Sequence, residues 1–428
     1  MRRGQWRRSE IVSTRDRVKL LIPLVVLAVA FPLLVTAFPT PSTVRDAYSY
    51  TMMAERLAAD GVYSFGPQVP GAPVQPNAVV TPGWPLALAG VYEFVRWRGD
   101  AFATARAAYP ALLFLMFVFS AGTVLAVVLS ARLLAGPNIG LAAGVAAALY
   151  PPISWSATVA LAENMGACLF AWLLYVALRL GAPDSPRRLR DVAGFGALGA
   201  AVVLVRPNLL LWLVAPIAYV VLRRLESPGR IAALIGVAAL GFSLVMAPWW
   251  IRNELAMGRF IAVKSASLPA ADRSAASEEQ APESTGVVDD EYWERTSLTV
   301  DAVRFAQPWV PQFEVMYEES TNPGTPIITY PQKRHPSVAL GNFLAWESLW
   351  FHRVILLFAA ISLLFIRRSP RLTLLLAAPL AVLAVHFAHL TTRYLYPTMP
   401  ALLIMATLGA YGLWLQARRI LHEGTVRF

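Results

Sequence analysis

The residues able to do chemistry are few, and most stand at the ends of apolar segments. Asp46 opens the polar stretch Arg45–Leu86. At about 100° per residue, Ala47, Tyr50, Met53, Ala54, Leu57 and Ala58 form one stripe, and Asp46 falls inside it while Ser49, Glu55, Arg56 and Asp60 lie outside. A carboxylate on the face that an interfacial helix turns toward a bundle must be paired, solvated by a cavity or used. As a positioned base it would take the proton of a hydroxyl. Asp ahead of a helical run also caps first-turn amides, and the two roles are compatible.

A second group of polar residues belongs to the same membrane face. Glu163 lies about one turn inside its helix, where a carboxylate is costly unless it pairs, for instance with Arg206, or contacts a substrate. Arg206, Arg252 and Arg393 sit at helix ends, where a single arginine commonly snorkels. Three around one mouth point to an anion, because a guanidinium holds a phosphate through two parallel hydrogen bonds. Tyr394 joins this phosphate-binding set, and Tyr50, Trp84 and Asn253 are candidates for acceptor contact or support. Arg96, Arg98 and Arg353 complete the polar residues at this face. His386 and His389, three apart, read as packing or hydrogen-bonding residues, so no metal site is expected from them. Cys168 is the single cysteine, which leaves no intrachain disulfide and no cysteine metal cluster.

The elements that must position these residues are membrane helices. A chain of 428 residues with 57% hydrophobic and 15% charged residues lies beyond soluble composition. The net charge of +11 needs no nucleic acid, since cytoplasmic loops of membrane proteins collect Lys and Arg. The expected architecture is an all-α polytopic bundle of about ten transmembrane helices, with two interfacial helices in the first outer loop. The divisions are a basic cytoplasmic tail (1–19), an N-terminal transmembrane module (20–250) whose first outer loop (39–108) carries Asp46, a large outer loop (251–345), C-terminal helices (346–416) and a cytoplasmic tail (417–428). Within this scheme Pro85–Trp97 is the second interfacial helix, and Ile139–Trp155 and Leu209–Leu222 are single crossings. Arginine-rich short loops place both termini inside and Asp46 outside. In the large outer loop, Ser265–Thr285 lacks the apolar content to fold, and the aromatic-rich Tyr292–Tyr330 is expected to form a lid.

These stretches carry a family resemblance. RDAYSYTMMAERLAADGVYSF followed by TPGWPLALAG resembles the first outer loop of bacterial glycosyltransferase family 39-like membrane enzymes, of the GT-C class. Similar too are AENM at Ala162–Met165, RPN at Arg206–Asn208, APWWIRNELAMGRF at Ala247–Phe260 and TTRYLYPTMP at Thr391–Pro400. The resemblance, which extends to protein mannosyltransferases and lipid A aminoarabinose transferases, implies transfer of a sugar from a polyprenyl-phosphate carrier to an extracytoplasmic acceptor. That acceptor would be an envelope glycan, a lipid or a protein, and the setting a bacterial inner membrane. Asp46 would be the catalytic carboxylate. Ala47 replaces the second acid of the family's common Asp-Glu pair, so no cofactor is required and a divalent metal gains no support. No soluble C-terminal domain follows the last helix, which leaves acceptor recognition to the outer loops. Two other classes remain open: a lipid or solute transporter, disfavoured by helices almost uncharged at their centres, and a non-catalytic assembly subunit.

Overall fold

The computed structural model describes residues 14–37, 45–64, 75–97, 105–158, 161–265, 338–365, 369–385 and 395–423, and every regular element among them is helical. After α1 (Thr14–Ala37) come α2 (Arg45–Asp60) and α3 (Gly83–Trp97), the two helices expected in the first outer loop. The chain continues through α4 (Ala105–Ala135), α5 (Pro137–Leu149), α6 (Pro151–Trp155), α7 (Glu163–Leu180), α8 (Leu189–Val205), α9 (Val214–Leu222) and α10 (Pro228–Met257). Beyond the large loop stand α11 (Val338–Ser362), α12 (Leu372–Val385) and α13 (Met399–Glu423). Pro110–Ala135, Glu163–Leu180, Pro228–Met257 and Tyr396–Leu421 are long and apolar enough to cross a membrane, and five shorter apolar helices accompany them among the described residues. The chain is a multi-pass membrane protein. Its exposed apolar side chains, such as Val25 and Val29 on α1 and Leu240, Leu244 and Leu255 on α10, are what a lipid-facing surface requires.

One segment expected as a single crossing, Ile139–Trp155, is broken, and the turn expected at Arg206–Asn208 is present, both by the same chemistry. Proline crowds the residue before it out of the helical region, and its own fixed φ suits the first position of a new helix. Tyr150 (φ −71°, ψ 108°) precedes Pro151, so α5 stops at Leu149 and α6 starts afresh within the expected Ile139–Trp155 crossing. Arg206 (φ −138°, ψ 85°) precedes Pro207, and the return toward α9 begins as a 3-10 turn, Pro207–Leu213. Each break leaves a polar side chain at a helix end, one a phenol and the other a guanidinium.

One continuous apolar core joins the N-terminal helices to the last three. Phe170 of α7 meets Trp212 edge-on, with ring centroids 4.9 Å apart, and the Trp212 indole donates to the Leu374 carbonyl of α12 at 3.1 Å. A smaller cluster of Met53, Tyr63, Ala78, Ala200, Met246, Trp249 and Ile261 packs α2 and the loop after it against α8 and α10. Helices α8 and α10 are in backbone contact. A Cβ on Gly196 would strike the Ala238 carbonyl oxygen, and one on Gly241 would strike that of Ala193, so only glycine permits this approach. Further along both helices Ala200 and Leu204 share the smaller cluster with Met246 and Trp249, so the two run in the same direction. Arg206 follows Gly196 by ten residues and Arg252 follows Gly241 by eleven, which brings both arginines to the same end of the bundle.

Candidate functional site

Glu163 is the first residue of α7 and has no solvent exposure; its carboxylate forms an ion pair with Arg206, itself 8% exposed. The stem of Arg206 lies across Gly166, where a Cβ would come within 2.8 Å of its Cγ. The AENMG turn thus supplies both a counter-ion and the space in which the arginine lies. Of the two sequence readings of Glu163, pairing with Arg206 is the contact present.

Next to this pair is a buried polar cluster that sequence reasoning did not single out. Asn164 donates to the Ile153 carbonyl and to Ser120 Oγ, each at 3.3 Å, and its Oδ1 accepts from Tyr396 at 3.0 Å and from Ser156. Tyr396 and Ser156 hydroxyls are 2.9 Å apart. Tyr150 OH is hydrogen-bonded to His352 Nδ1 at 2.9 Å. Tyr150 and Tyr396 each stand directly before a proline, and Tyr396 belongs to the TTRYLYPTMP motif. The available signal was a polar residue beside proline inside an apolar segment.

The WWIRN segment of α10 does a different job, because its donors reach backbone carbonyls of the loop between α2 and α3 and of the loop after α10. Arg252 donates from Nη1 to the Asn77 carbonyl (2.9 Å) and to Asn253 Oδ1 (3.0 Å), and from Nη2 to the Tyr63 carbonyl (2.6 Å). Its guanidinium also lies 5.4 Å from the ring centroids of both Tyr63 and Trp249. Trp249 and Trp250 donate to the Val263 and Ala262 carbonyls at 2.8 Å, and buried Asn253 to Ile261 at 3.4 Å. Ser265 N completes the stitch by donating to the Ala78 carbonyl at 2.7 Å. The loop after α2 and the start of the large loop after α10 are therefore tied to one helix end and to each other.

Helix α2 is docked beside that tie. Its amphipathic spacing puts Met53 in the cluster with Trp249, and Tyr50 close enough to Tyr63 to raise the cost of ionising the Tyr63 phenol. Burial is the larger reason that Tyr63 is pushed well above the usual phenol range, and nearby Arg252 offsets part of it. The backbone of Asp46 lies one turn before Tyr50, in the first turn of α2. Glu55 belongs to the other side of that helix, where it faces Tyr92 of α3; burial pushes its carboxyl up to about 7. Trp84, at the start of α3, is 1% exposed and packs in the main core.

Arg393, Tyr394, Arg98, His386, His389 and the expected lid Tyr292–Tyr330 lie outside the described residues, as does the 266–285 part of the expected tether. The structure thus brings Arg206 to Glu163, and Arg252 and Asn253 to the loop roots beside Tyr50. Among the described residues no three His, Cys, Asp or Glu side chains gather in a way that would hold a metal ion.

These features define a class: a multi-pass helical membrane protein whose loop between α1 and α4 is pinned against a bundle end containing a buried acid–arginine pair. No family model matches the sequence, and no curated relative matches it. Solved structures share the fold. ArnT from Cupriavidus metallidurans bound to undecaprenyl phosphate superposes with a TM-score of 0.53 at 15% identity, covering 96% of this chain and 64% of that one. Its apo state gives 0.54 at 14% identity over 95% and 64%. The Archaeoglobus fulgidus oligosaccharyltransferase in complex with zinc and sulfate gives 0.52 at 14% identity over 94% and 50%. The chain therefore spans less than two thirds of the length of these proteins, and it shares their fold.

Proposed function

We propose that this chain is a membrane glycosyltransferase that moves a sugar from a polyprenyl-phosphate carrier to an extracytoplasmic acceptor, an envelope glycan, lipid or protein. The observation that carries the reading is the docking of α2, with Asp46 in its first turn, at the bundle end where Arg206 and Arg252 stand. The fold shared with ArnT bound to undecaprenyl phosphate supports a lipid-linked donor.

In the proposed reaction Asp46 accepts the proton of the acceptor hydroxyl as its oxygen attacks the anomeric carbon. The bond from that carbon to the carrier phosphate breaks, and the electron pair leaves with the phosphate oxygen, giving inversion. Arg206, Arg252, Arg393 and Tyr394 are the proposed phosphate ligands. The described geometry favours Arg206 among them, since its Nε is buried and makes no hydrogen bond among the described residues. Arg252 acts chiefly by holding the loop that follows α2, with Asn253 as its support, and Tyr50 and Trp84 shape the acceptor side. No step requires a metal.

The test is transfer from an undecaprenyl-phosphate-linked sugar by the chain reconstituted in liposomes, comparing wild type with Asp46→Asn. The variant should fold and bind carrier yet transfer about 10²–10⁴ times more slowly, the usual contribution of a positioned base. A folded variant transferring at the wild-type rate would move the base to another residue, Glu163 first.

A further inference from the structure

At the other end of the bundle the arginines are arranged too deliberately to serve only as topology signals. Helix α7 runs about 27 Å from Glu163 to Leu180, so the turns after it sit at the opposite membrane face. There the turn before α8 and the turn before α10 are locked together by Arg187, 3% exposed. Its Nη1 donates to Glu226 at 2.8 Å and to the Ser185 carbonyl at 3.3 Å, and its Nη2 to the Ala182 carbonyl at 3.0 Å. Its Nε is buried and has no acceptor among the described residues.

Arg187 (φ 41°) and Arg224 (φ 49°) are the two non-glycine residues in the left-handed region among the described residues, one in each locked turn. Arg224 follows α9 at the position where glycine is the cheaper choice. Strain of this kind persists where the surroundings over-determine it and gathers at functional positions. A charge bias for topology would be met by arginines anywhere in these turns.

Around the lock, Arg188, Arg223, Arg224 and Arg230 are exposed and have no acidic partner among the described residues. Glu226 is taken by Arg187, and Asp191 lies 3.5 Å from Arg190. Like charges held close by rigid turns repel, and an anion between them removes that cost. Leu189, Val221 and Leu222 stand exposed beside them and give an apolar border at the same level.

We propose that this corner is a preorganised site for the phosphate of an anionic phospholipid, its headgroup held by the exposed arginines and its acyl chains along α9 and α10. The site is independent of the sugar-transfer reading.

Native mass spectrometry of the full chain in detergent tests it, with phosphatidylglycerol, phosphatidylcholine of the same acyl chains, and soluble glycerol phosphate as probes. Wild type should bind phosphatidylglycerol at least about tenfold more tightly than phosphatidylcholine, and Arg188→Gln/Arg223→Gln/Arg230→Gln should remove that preference. Glu226→Gln separates a built site from simple charge. It adds positive charge, so a pure field effect predicts tighter binding, whereas loss of the lock predicts severalfold weaker binding. Equal binding of the two lipids, a preference that survives the triple variant, tighter binding by Glu226→Gln, or competition by glycerol phosphate at lipid concentrations would each overturn the proposal. Arg223→Gln/Arg230→Gln supplies the same comparison should the triple variant not fold.

Discussion

Glu163 and Arg206 form an ion pair sealed from solvent on the carboxylate side and nearly so on the guanidinium side. Two charges out of water are tolerated only together, and removing one strands the other. Glu163→Gln or Arg206→Gln alone should cost about 3–5 kcal/mol of stability, while the double variant should regain much of that loss. Thermal unfolding in one detergent, run on all four proteins of the cycle, gives the answer. Single variants as stable as wild type would mean that the pair contributes nothing to the fold.

Gly166 makes a separate prediction, because its missing side chain is the space that the Arg206 stem occupies. A methyl group at 2.8 Å from Cγ meets a flexible side chain, so Gly166→Ala should be cheap to fold and costly in placement. Unfolding should shift by only a few degrees, whereas carrier binding should weaken by about tenfold, the loss of one charge-assisted hydrogen bond. Binding within twofold of wild type would show that the placement of Arg206 does not matter to the ligand.

Arg252→Lys keeps the charge and loses the fork that reaches two carbonyls at once. The tie between the loop roots should loosen by about 1.5–3 kcal/mol. Hydrogen exchange reads this at two amides, Asn77 N, bonded to the Tyr63 carbonyl, and Ser265 N, bonded to Ala78. Their protection should fall by about 10- to 100-fold, and unchanged protection would remove Arg252 from the tie.

The raised carboxyl of Glu55 gives a pH dependence of definite sign. The unfolded chain ionises Glu55 near 4.5 and the folded chain only near 7, so the folded state holds the proton across that interval. Stability from this group is fullest below pH 4.5, declines as pH rises toward 7, and stays reduced above it. Glu55→Gln should flatten that part of the stability profile and stabilise the protein at pH 8. Unfolding midpoints at pH 5 and 8 that respond alike in both proteins would contradict it.

Much of this was legible in the sequence, for reasons specific to each element. The two short helices of the first outer loop show as an amphipathic stripe and as an apolar run too short to cross, and both are present as α2 and α3. The possible Glu163–Arg206 pair was legible because two lone charges at apolar helix ends have few other partners. The turn at Arg206–Asn208 was legible from its charge and proline between two apolar runs, whereas the break at Tyr150 was missed although Pro151 is plain to see, because apolar length was weighed above proline chemistry. The roles of Trp249, Trp250 and Asn253 were hidden for a different reason. Their partners are backbone carbonyls of remote loops, and a carbonyl has no letter in the sequence. Asn164 was hidden by separation along the chain instead, since the hydroxyls that it binds, of Ser120, Ser156 and Tyr396, come from three other segments.

The glycine contact between α8 and α10 bears on how the protein responds to its bilayer. Two helices touching backbone to backbone tilt as one body, and a 30-residue helix adjusts its tilt when the hydrocarbon layer thickens or thins. Arg206 and Arg252 ride at the same end of that body. A change in membrane thickness therefore alters the depth at which both cations stand and leaves their spacing intact, so the headgroup level they meet is set by the surrounding lipid.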